Sequence, residues 1–260
     1  MTLTYKGIKI NYKSTGKGRP IVFLHGFLEN ITMWEETIAI LENSYHCIAI
    51  DLLGHGDTES LGYIHTMEEM ALAVNTVLEE LKITDTTLIG HSMGGYVSLA
   101  LVELFPNKTM SLVLLNSTSY PDSEERKISR TRAIDIVKKN PNAYTSMAIA
   151  NLFAEKNRIV YEPQIKRIKE QASKTSLQGI ISALEGMKIR KDRSNVLKEF
   201  YGSKVIFAGE KDPVLSFSQN GKEANYANVD LISFDGGHMT YIENQKEFMT
   251  ALQNHLQNPT

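Results

Sequence analysis

The feature that most constrains the fold is a six-residue segment at positions 90–95, GHSMGG. It follows the apolar run Thr87–Ile89 and precedes Tyr96–Leu104, which has helical spacing. This order predicts a strand, a very tight turn and a helix, with Ser92 at the tip of the turn. Such a turn strains the serine backbone and leaves room only for glycine two residues to either side. An ordinary glycine-rich turn would give the same short motif, so the rest of the chain has to supply a base and an acid.

Composition limits the class of protein. The chain has 260 residues, 42% hydrophobic and 22% charged, which predicts one globular domain with room for an insertion. A net charge of −2 gives no general attraction to nucleic acid. The single cysteine, Cys47, lies in an apolar run and is interpreted as a buried strand residue. Without a signal-like or membrane-spanning run, we expect a cytoplasmic protein with no stable membrane insertion.

Apolar runs alternate with helical stripes along most of the chain. A hairpin is predicted over residues 3–12. Mostly apolar runs predict strands at residues 21–24, 46–50, 87–89 and 112–115, and the sheet pattern resumes at residues 204–208 and 229–234. Helices are predicted around residues 34–41 and at 66–81, 96–104 and 243–256. The alternation predicts an α/β fold, with a mostly parallel sheet between helices. Ligands bind such sheets at the carboxyl ends of the strands, where His25, Asp51 and Ser92 fall.

The pattern changes between residues 118 and 200. No good strand is found there, and helices are predicted at residues 128–139, 144–153, 165–173 and 177–187. We interpret 118–200 as an inserted helical cap, and 1–117 with 201–260 as the core. The cap holds 17 Lys and Arg against 10 Asp and Glu. Solvated helix faces and attraction between cap and core are favoured as explanations over binding of an anionic substrate or a membrane surface.

A serine hydroxyl needs a base and a group that orients the base. Among the seven histidines, His238 lies in a glycine-marked loop directly after the last predicted strand. Asp212 follows the end of the preceding strand and is the candidate acid. His91 adjoins Ser92 but should point elsewhere. The order Ser92, Asp212, His238 is that of the α/β-hydrolase arrangement.

Five blocks together resemble the α/β-hydrolase superfamily over nearly the whole chain outside the cap. They are His25-Gly26-Phe27, Asp51-x-x-Gly54-x-Gly56-x-Thr58, the 90–95 segment, Gly209-x-x-Asp212-Pro213 and Gly237-His238-x-x-x-x-Glu243. The resemblance implies a helical cap on this fold and a triad of Ser92, His238 and Asp212. It also implies an oxyanion hole made by the backbone N–H groups of Phe27 and Met93. Thr58 and Gln245 depart from the common pattern without touching the triad.

Other chemistries are less consistent with these residues. Relatives that resemble haloalkane dehalogenases or epoxide hydrolases carry aspartate at the elbow instead of serine. Asp51, His55 and Asp57 could be considered metal ligands, but they lie in a strand-end loop typical of the superfamily, so no metal is expected. Gly16-x-Gly18 precedes a strand instead of following one and is not a dinucleotide loop. No cofactor is predicted.

The expected function is hydrolysis of a small carboxylic ester or thioester through an acyl-enzyme, with a small molecule as the partner. Similar triads and caps also serve carbon–carbon bond hydrolases and the menaquinone-pathway synthase, a lyase. A ligand receptor on the same fold is the alternative of another class. Substrate identity depends on the cap, which the resemblance covers least, and the sequence makes no prediction about oligomeric state.

Overall fold

The structure is a computed structural model that describes residues 1–257. The last three residues of the predicted core segment, 258–260, lie outside the described residues.

Eight strands in these residues form one sheet in the order β1-β2-β4-β3-β5-β6-β7-β8. Strands β3 to β8 pair in parallel, whereas β1 pairs antiparallel with β2 and β2 with β4. The order reverses at β3, which has β4 on one side and β5 on the other. The bounds are β1 Thr2–Tyr5, β2 Ile8–Thr15, β3 Arg19–Leu24, β4 Tyr45–Ile50, β5 Thr86–His91, β6 Thr109–Leu115, β7 Ser203–Gly209 and β8 Asp230–Phe234.

Helices follow most of the parallel strands. Three lie before β6: α1 Glu35–Leu41, α2 Met67–Glu80 and α3 Met93–Leu104. Five lie between β6 and β7: α4 Glu124–Lys139, α5 Pro141–Ala150, α6 Glu162–Ala172, α7 Leu177–Lys188 and α8 Ser194–Glu199. The last three are α9 Phe217–Ala227, α10 Thr240–Glu243 and α11 Gln245–Gln257. The predicted α/β class, hairpin and central strands are confirmed.

The core lies around the central strands. Val22, Phe23 and Leu24 on β3 are fully buried. Because neighbouring strand residues point to opposite faces, both faces of β3 must be covered. Helix α3 packs against β3, β5 and β6, and α2 packs against α3, while α1 contacts β4 and α11 contacts β8. Each fully buried Leu, Val or Phe side chain stabilises this core by about 1.5–3 kcal/mol.

The last helix differs from the prediction, and α8 and α9 were not predicted. The single helix predicted from Glu243 to Leu256 is two helices, because Asn244 has non-helical angles (φ −136°, ψ 41°). Its carbonyl accepts a hydrogen bond from the Phe248 N–H at 2.8 Å and so begins α11. Helix α9, between β7 and β8, was not predicted, because its buried face includes the polar side chains Asn220 and Glu223.

Cys47 lies on β4, and its side chain is fully buried, as predicted. Burial raises the pKa of its thiol to about 12, so the reactive thiolate does not form at neutral pH. Among the described residues, none of the helices combines the length and the apolar composition that crossing a bilayer requires.

Candidate active site

Ser92 occupies a strained turn between β5 and α3, with φ 51° and ψ −113°. A Cβ atom on Gly90 would lie 2.5 Å from the carbonyl oxygen of Gly94. One on Gly94 would lie 2.3 Å from the carbonyl oxygen of Leu24, at the end of β3. Both neighbours are backbone atoms that cannot move aside cheaply. The predicted requirement for glycine on each side of the serine therefore has a direct steric cause.

Hydrogen bonds from the next strand hold this strained turn. The backbone N–H of Ser92 donates to the carbonyl oxygen of Leu115 at 2.9 Å. The hydroxyl of Ser117 donates to the carbonyl oxygen of Ser92 at 2.8 Å. Strained conformations persist only where the surrounding structure over-determines them, and these contacts come from the last residue of β6 and from the loop directly after it.

The structure brings the three predicted residues into one hydrogen-bonded chain. The Oγ of Ser92 lies 2.8 Å from Nε2 of His238, and Nδ1 of His238 lies 2.7 Å from Oδ2 of Asp212. Asp212 follows β7 and His238 follows β8, and these strands are parallel neighbours. Their carboxyl ends therefore meet at the same edge of the sheet as Ser92. A hydroxyl, an imidazole and a carboxylate in this order can move a proton away from the hydroxyl oxygen.

The Asp212 carboxyl is arranged to stay ionised. Its Oδ1 accepts hydrogen bonds from the N–H groups of Val214 at 2.7 Å and Leu215 at 3.0 Å, and its Oδ2 accepts one from the Asn116 amide at 3.1 Å. Burial alone would raise the pKa of Asp212, but the neighbouring His238 and the two backbone donors bring it below its usual value. An ionised carboxylate there holds the proton of His238 on Nδ1, which leaves Nε2 free to accept one.

Glu243 connects the His238 loop to the segment between α5 and α6. Its carboxylate accepts hydrogen bonds from the N–H groups of Gly237 and Ala154, both at 3.0 Å, and from the Asn157 amide at 2.7 Å. The N–H of His238 donates to the carbonyl oxygen of Leu152 at 2.8 Å. The position of the imidazole therefore depends on the inserted helices as well as on the sheet.

The backbone N–H groups of Phe27 and Met93, the two residues predicted as oxyanion donors, donate no hydrogen bond within residues 1–257. The Phe27 loop is held by His25, whose Nε2 accepts a hydrogen bond from the Leu52 N–H at 2.9 Å and whose Nδ1 donates to the Gly26 carbonyl oxygen at 2.7 Å. Burial lowers the pKa of His25, which keeps this ring neutral.

A buried carboxylate lies beneath the same loop. Glu29 accepts hydrogen bonds from the Gly26 N–H and from the Tyr241 hydroxyl, both at 2.9 Å, and contacts the ring of His91. The two ring nitrogens of His91 therefore contact Glu29 and the backbone of His238 instead of the Ser92 hydroxyl, as predicted. The sequence did not predict that Glu29 is buried at the site, because a glutamate near the end of a strand is usually exposed.

The remaining strand-end acid, Asp51, organises a loop. Its Oδ1 accepts a hydrogen bond from the Ile31 N–H at 2.8 Å, and its Oδ2 accepts from the Asn11 amide at 2.8 Å and the Asp57 N–H at 3.0 Å. Within the described part of the chain, no group of three or more His, Cys, Asp and Glu side chains is placed to hold a metal ion.

Ser92 and His238 open onto a pocket of about 420 Å³. This volume suits a small organic ligand. One side of the pocket comes from the residues after β3 and β5. The other side comes from α4, α5, α7 and the segment that follows α5, with lining residues that include Tyr144, Ile149, Leu152, Leu184 and Met187. The inserted helices therefore form much of the surface that a ligand at Ser92 would touch.

Comparison with known proteins places the chain in a family. A family model described as alpha/beta hydrolase fold matches residues 19–166, more than half of the chain. The structure superposes on a thermophilic esterase from Thermogutta terrifontis with a TM-score of 0.91 and 25% identity, covering 98% of this chain and 96% of the esterase.

Curated relatives are similar at lower identity or over shorter stretches. A 3-oxoadipate enol-lactonase from Acinetobacter baylyi is 23% identical over 97% of this chain and 94% of its own length. A putative non-heme haloperoxidase of Mycobacterium phage D29 is 33% identical over 44% of this chain. This match and two similar ones span 34–44% of the relatives' own lengths. The fold, the sheet order and the family match agree, and the chain belongs to the α/β-hydrolase family.

Proposed function

We propose that the protein is a hydrolase that cleaves a small carboxylic ester or thioester through an acyl-enzyme. One observation carries this proposal: an unbroken hydrogen-bonded path runs from the Ser92 hydroxyl through His238 to the buried Asp212 carboxylate. That path begins in a pocket of a size suited to a small substrate.

In this mechanism the Oγ of Ser92 attacks the carbonyl carbon of the substrate while Nε2 of His238 takes the hydroxyl proton. Asp212 keeps the other imidazole proton on Nδ1 and stabilises the cation that forms. The N–H groups of Phe27 and Met93 donate to the oxyanion, and each such donor contributes about 2.7–4 kcal/mol. The tetrahedral intermediate then expels the alcohol or thiol, which receives the proton from His238. Water, activated by the same imidazole, releases the acid and restores Ser92.

The relatives support this reaction class. The solved structure described above is of an esterase, and the curated relative aligned over nearly its full length is an enol-lactonase. A lactone is a cyclic ester, so both names describe cleavage of the same bond type. The proposed reaction involves no cofactor, because the nucleophile, base and oxyanion donors are all side chains or backbone groups of the protein.

The proposal also divides the chain into a core of residues 1–117 and 201–260 and a helical cap of residues 118–200. The pocket supports this division, because residues on α4, α5 and α7 line it together with Ser92. In this arrangement the core supplies the reacting groups, and the cap determines which substrates fit.

The experiment is covalent labelling with a serine-directed phosphonate, followed by intact mass and peptide mapping. One adduct per chain on Ser92, absent from Ser92→Ala, is the expected result. If the labelled serine is also the nucleophile in ester hydrolysis, Ser92→Ala should not hydrolyse short-chain nitrophenyl esters. An adduct on another residue would reject the assignment of the nucleophile. Much faster cleavage of a vinylogous diketone acid than of these esters would favour the carbon–carbon hydrolase instead.

A further inference from the structure

The Ser92 pocket carries positive charge on the side formed by residues 118–200. Arg126 and Arg130 of α4 line it, and so does Arg158, which lies between α5 and α6. Helix residues four apart lie on the same face, which places both arginines of α4 on the pocket. The other basic residues of this segment do not line the pocket. Part of the excess positive charge of residues 118–200 therefore lies at the Ser92 pocket.

Arg130 shares its acidic partner with a second arginine. Asp122 accepts hydrogen bonds from both Arg130 and Arg190, so one negative charge faces two positive charges. The Arg190 guanidinium also stacks 4.1 Å from the ring centroid of Tyr96, which lines the pocket. Asp122 therefore compensates only part of the positive charge beside the pocket.

Arg126 and Arg158 have no acidic partner in the described part of the chain. No carboxylate oxygen of residues 1–257 lies within 4.0 Å of a nitrogen of either guanidinium. The Nε of Arg158 donates one long hydrogen bond, 3.4 Å, to the carbonyl oxygen of Phe153. A guanidinium has five N–H donors and pairs two of them with a planar anion. Both side chains can therefore offer paired donors to a ligand.

The acidic residue that lines the pocket does not neutralise the positive charges of Arg126 and Arg158. Glu29 is the acidic residue among the lining residues, and it is already paired with His91 and hydrogen-bonded by Tyr241. Tyr144 also lines the pocket. Burial raises the pKa of the Tyr144 hydroxyl, against the opposing effect of two nearby arginines, so it remains a neutral donor.

We propose that the pocket selects substrates that carry a carboxylate in addition to the bond that is cleaved, with Arg126 and Arg158 binding that carboxylate. The substrate class is thus a small anionic ester or lactone. Arginine suits this role because its flat fork of donors matches the geometry of a carboxylate. This inference rests on the proposed hydrolysis at Ser92 and specifies the substrate of that site.

The first test measures binding without turnover. Ser92→Ala protein is titrated calorimetrically with monoethyl succinate and with ethyl succinamate, its carboxamide isostere. A second pair, acetoxyacetic acid and its amide, places the charge on the alcohol side. In at least one pair, the carboxylate should bind at least about tenfold more tightly, as expected for one charge-assisted hydrogen bond. Equal binding of carboxylate and amide in both pairs would overturn the proposal.

The second test assigns the preference to the arginines. When Arg126→Gln and Arg158→Gln are both added to Ser92→Ala, the ratio of carboxylate to amide affinity should fall at least about tenfold. Arg132→Gln is the matched control, because Arg132 is an exposed residue of α4 that does not line the pocket, and adding it to Ser92→Ala should leave the ratio unchanged. A ratio that survives the two arginine substitutions would reject these two residues as the anion site.

Measurements of ester hydrolysis distinguish failure of the anionic-substrate proposal from failure of the proposed hydrolysis at Ser92, on which it rests. Ester hydrolysis that persisted in Ser92→Ala would reject the proposed reaction, whereas the binding ratios would still decide whether the pocket selects anions. If Ser92→Ala is inactive and the wild-type protein shows equal kcat/KM for carboxylate and amide in both pairs, hydrolysis stands and the anionic substrate class is rejected.

Discussion

Oε2 of Glu29 lies 2.7 Å from Nδ1 of His91, and both side chains are almost fully buried. The other ring nitrogen of His91 lies 2.9 Å from the carbonyl oxygen of His238, which can only accept a hydrogen bond. Burial alone would lower the pKa of His91, but Glu29 raises it above its usual value. Burial likewise opposes ionisation of Glu29, yet His91 brings its pKa below normal. The pair is therefore ionic and connects the Ser92 turn with the loops of Gly26 and His238.

This ion pair predicts a pH-dependent stability. The pKa of His91 is raised above 6.5, so its contribution is complete below pH 6.5 and is lost as the pH rises through the folded-state value. The pKa of Glu29 is lowered below 4.5, so its contribution is complete above pH 4.5 and is lost as the pH falls through its folded-state value. The pair therefore stabilises the fold most between pH 4.5 and 6.5.

Glu29→Gln should lower the free energy of unfolding by about 1.5–3 kcal/mol at pH 6, because the charge-assisted hydrogen bond is lost and the unpaired imidazolium of His91 gives up its proton. At pH 9 the loss should be smaller, since the pair contributes less there. Urea denaturation at both pH values measures the difference. Glu247→Gln, at an exposed position on α11, should change the free energy by no more than about 0.5 kcal/mol. An equal loss at the two pH values would contradict an ionic pair.

Asp212→Asn should lower kcat by about 10⁴-fold with little change in the fold. The Val214 and Leu215 N–H groups both donate to Oδ1, so the amide oxygen of the new side chain must stay there. Its NH₂ group must then face Nδ1 of His238, which would have to accept. The ring would carry its proton on Nε2, facing Ser92, and could no longer act as the base.

Steady-state kinetics of ester hydrolysis measure this effect. The control is Asp235→Asn, because Asp235 is the other acid near His238 in the sequence but is exposed and paired with Lys156 and Lys211. It should retain near-normal kcat. Since the members of such a chain act as a unit, Asp212→Asn combined with His238→Ala should be about as slow as His238→Ala alone. Additive losses would argue against a shared mechanism.

Gly94→Ala and Gly221→Ala should change stability in opposite directions. A Cβ on Gly94 meets backbone oxygens of Leu24 at 2.3 Å and His25 at 2.8 Å, so the variant should lose about 1–3 kcal/mol or more. Gly221 lies within α9, where a Cβ meets nothing within 4 Å. Alanine there should raise the free energy of unfolding by about 0.5–1 kcal/mol. Denaturation of both variants measures this contrast, and a wild-type stability for Gly94→Ala would refute the steric account of the turn.

Much of the fold could be predicted because buried positions are occupied by apolar residues, and their spacing in the sequence differs between strands and helices. Strands covered on both faces are apolar throughout, as in Ile21–Leu24. Helices that cover such strands carry apolar residues along one face, as in α2. Helix α9 could not be predicted in this way. Its buried Glu223 is stabilised by hydrogen bonds from Thr118 and Ser119, more than 100 residues earlier in the chain, so its burial leaves no local hydrophobic signal.

By itself, the sequence determined the tight turn at Ser92 and the strand-end positions of Asp212 and His238, because turn geometry and strand ends depend on local residue types. Only the tertiary structure brought Glu29 to His91, Asn116 to Asp212 and arginines of the inserted helices to the pocket. These partners are far apart in sequence, and their contact depends on how strands and helices pack at one edge of the sheet. Hydrogen bonds and ion pairs act only within a few ångströms, so that packing decides which polar residues interact.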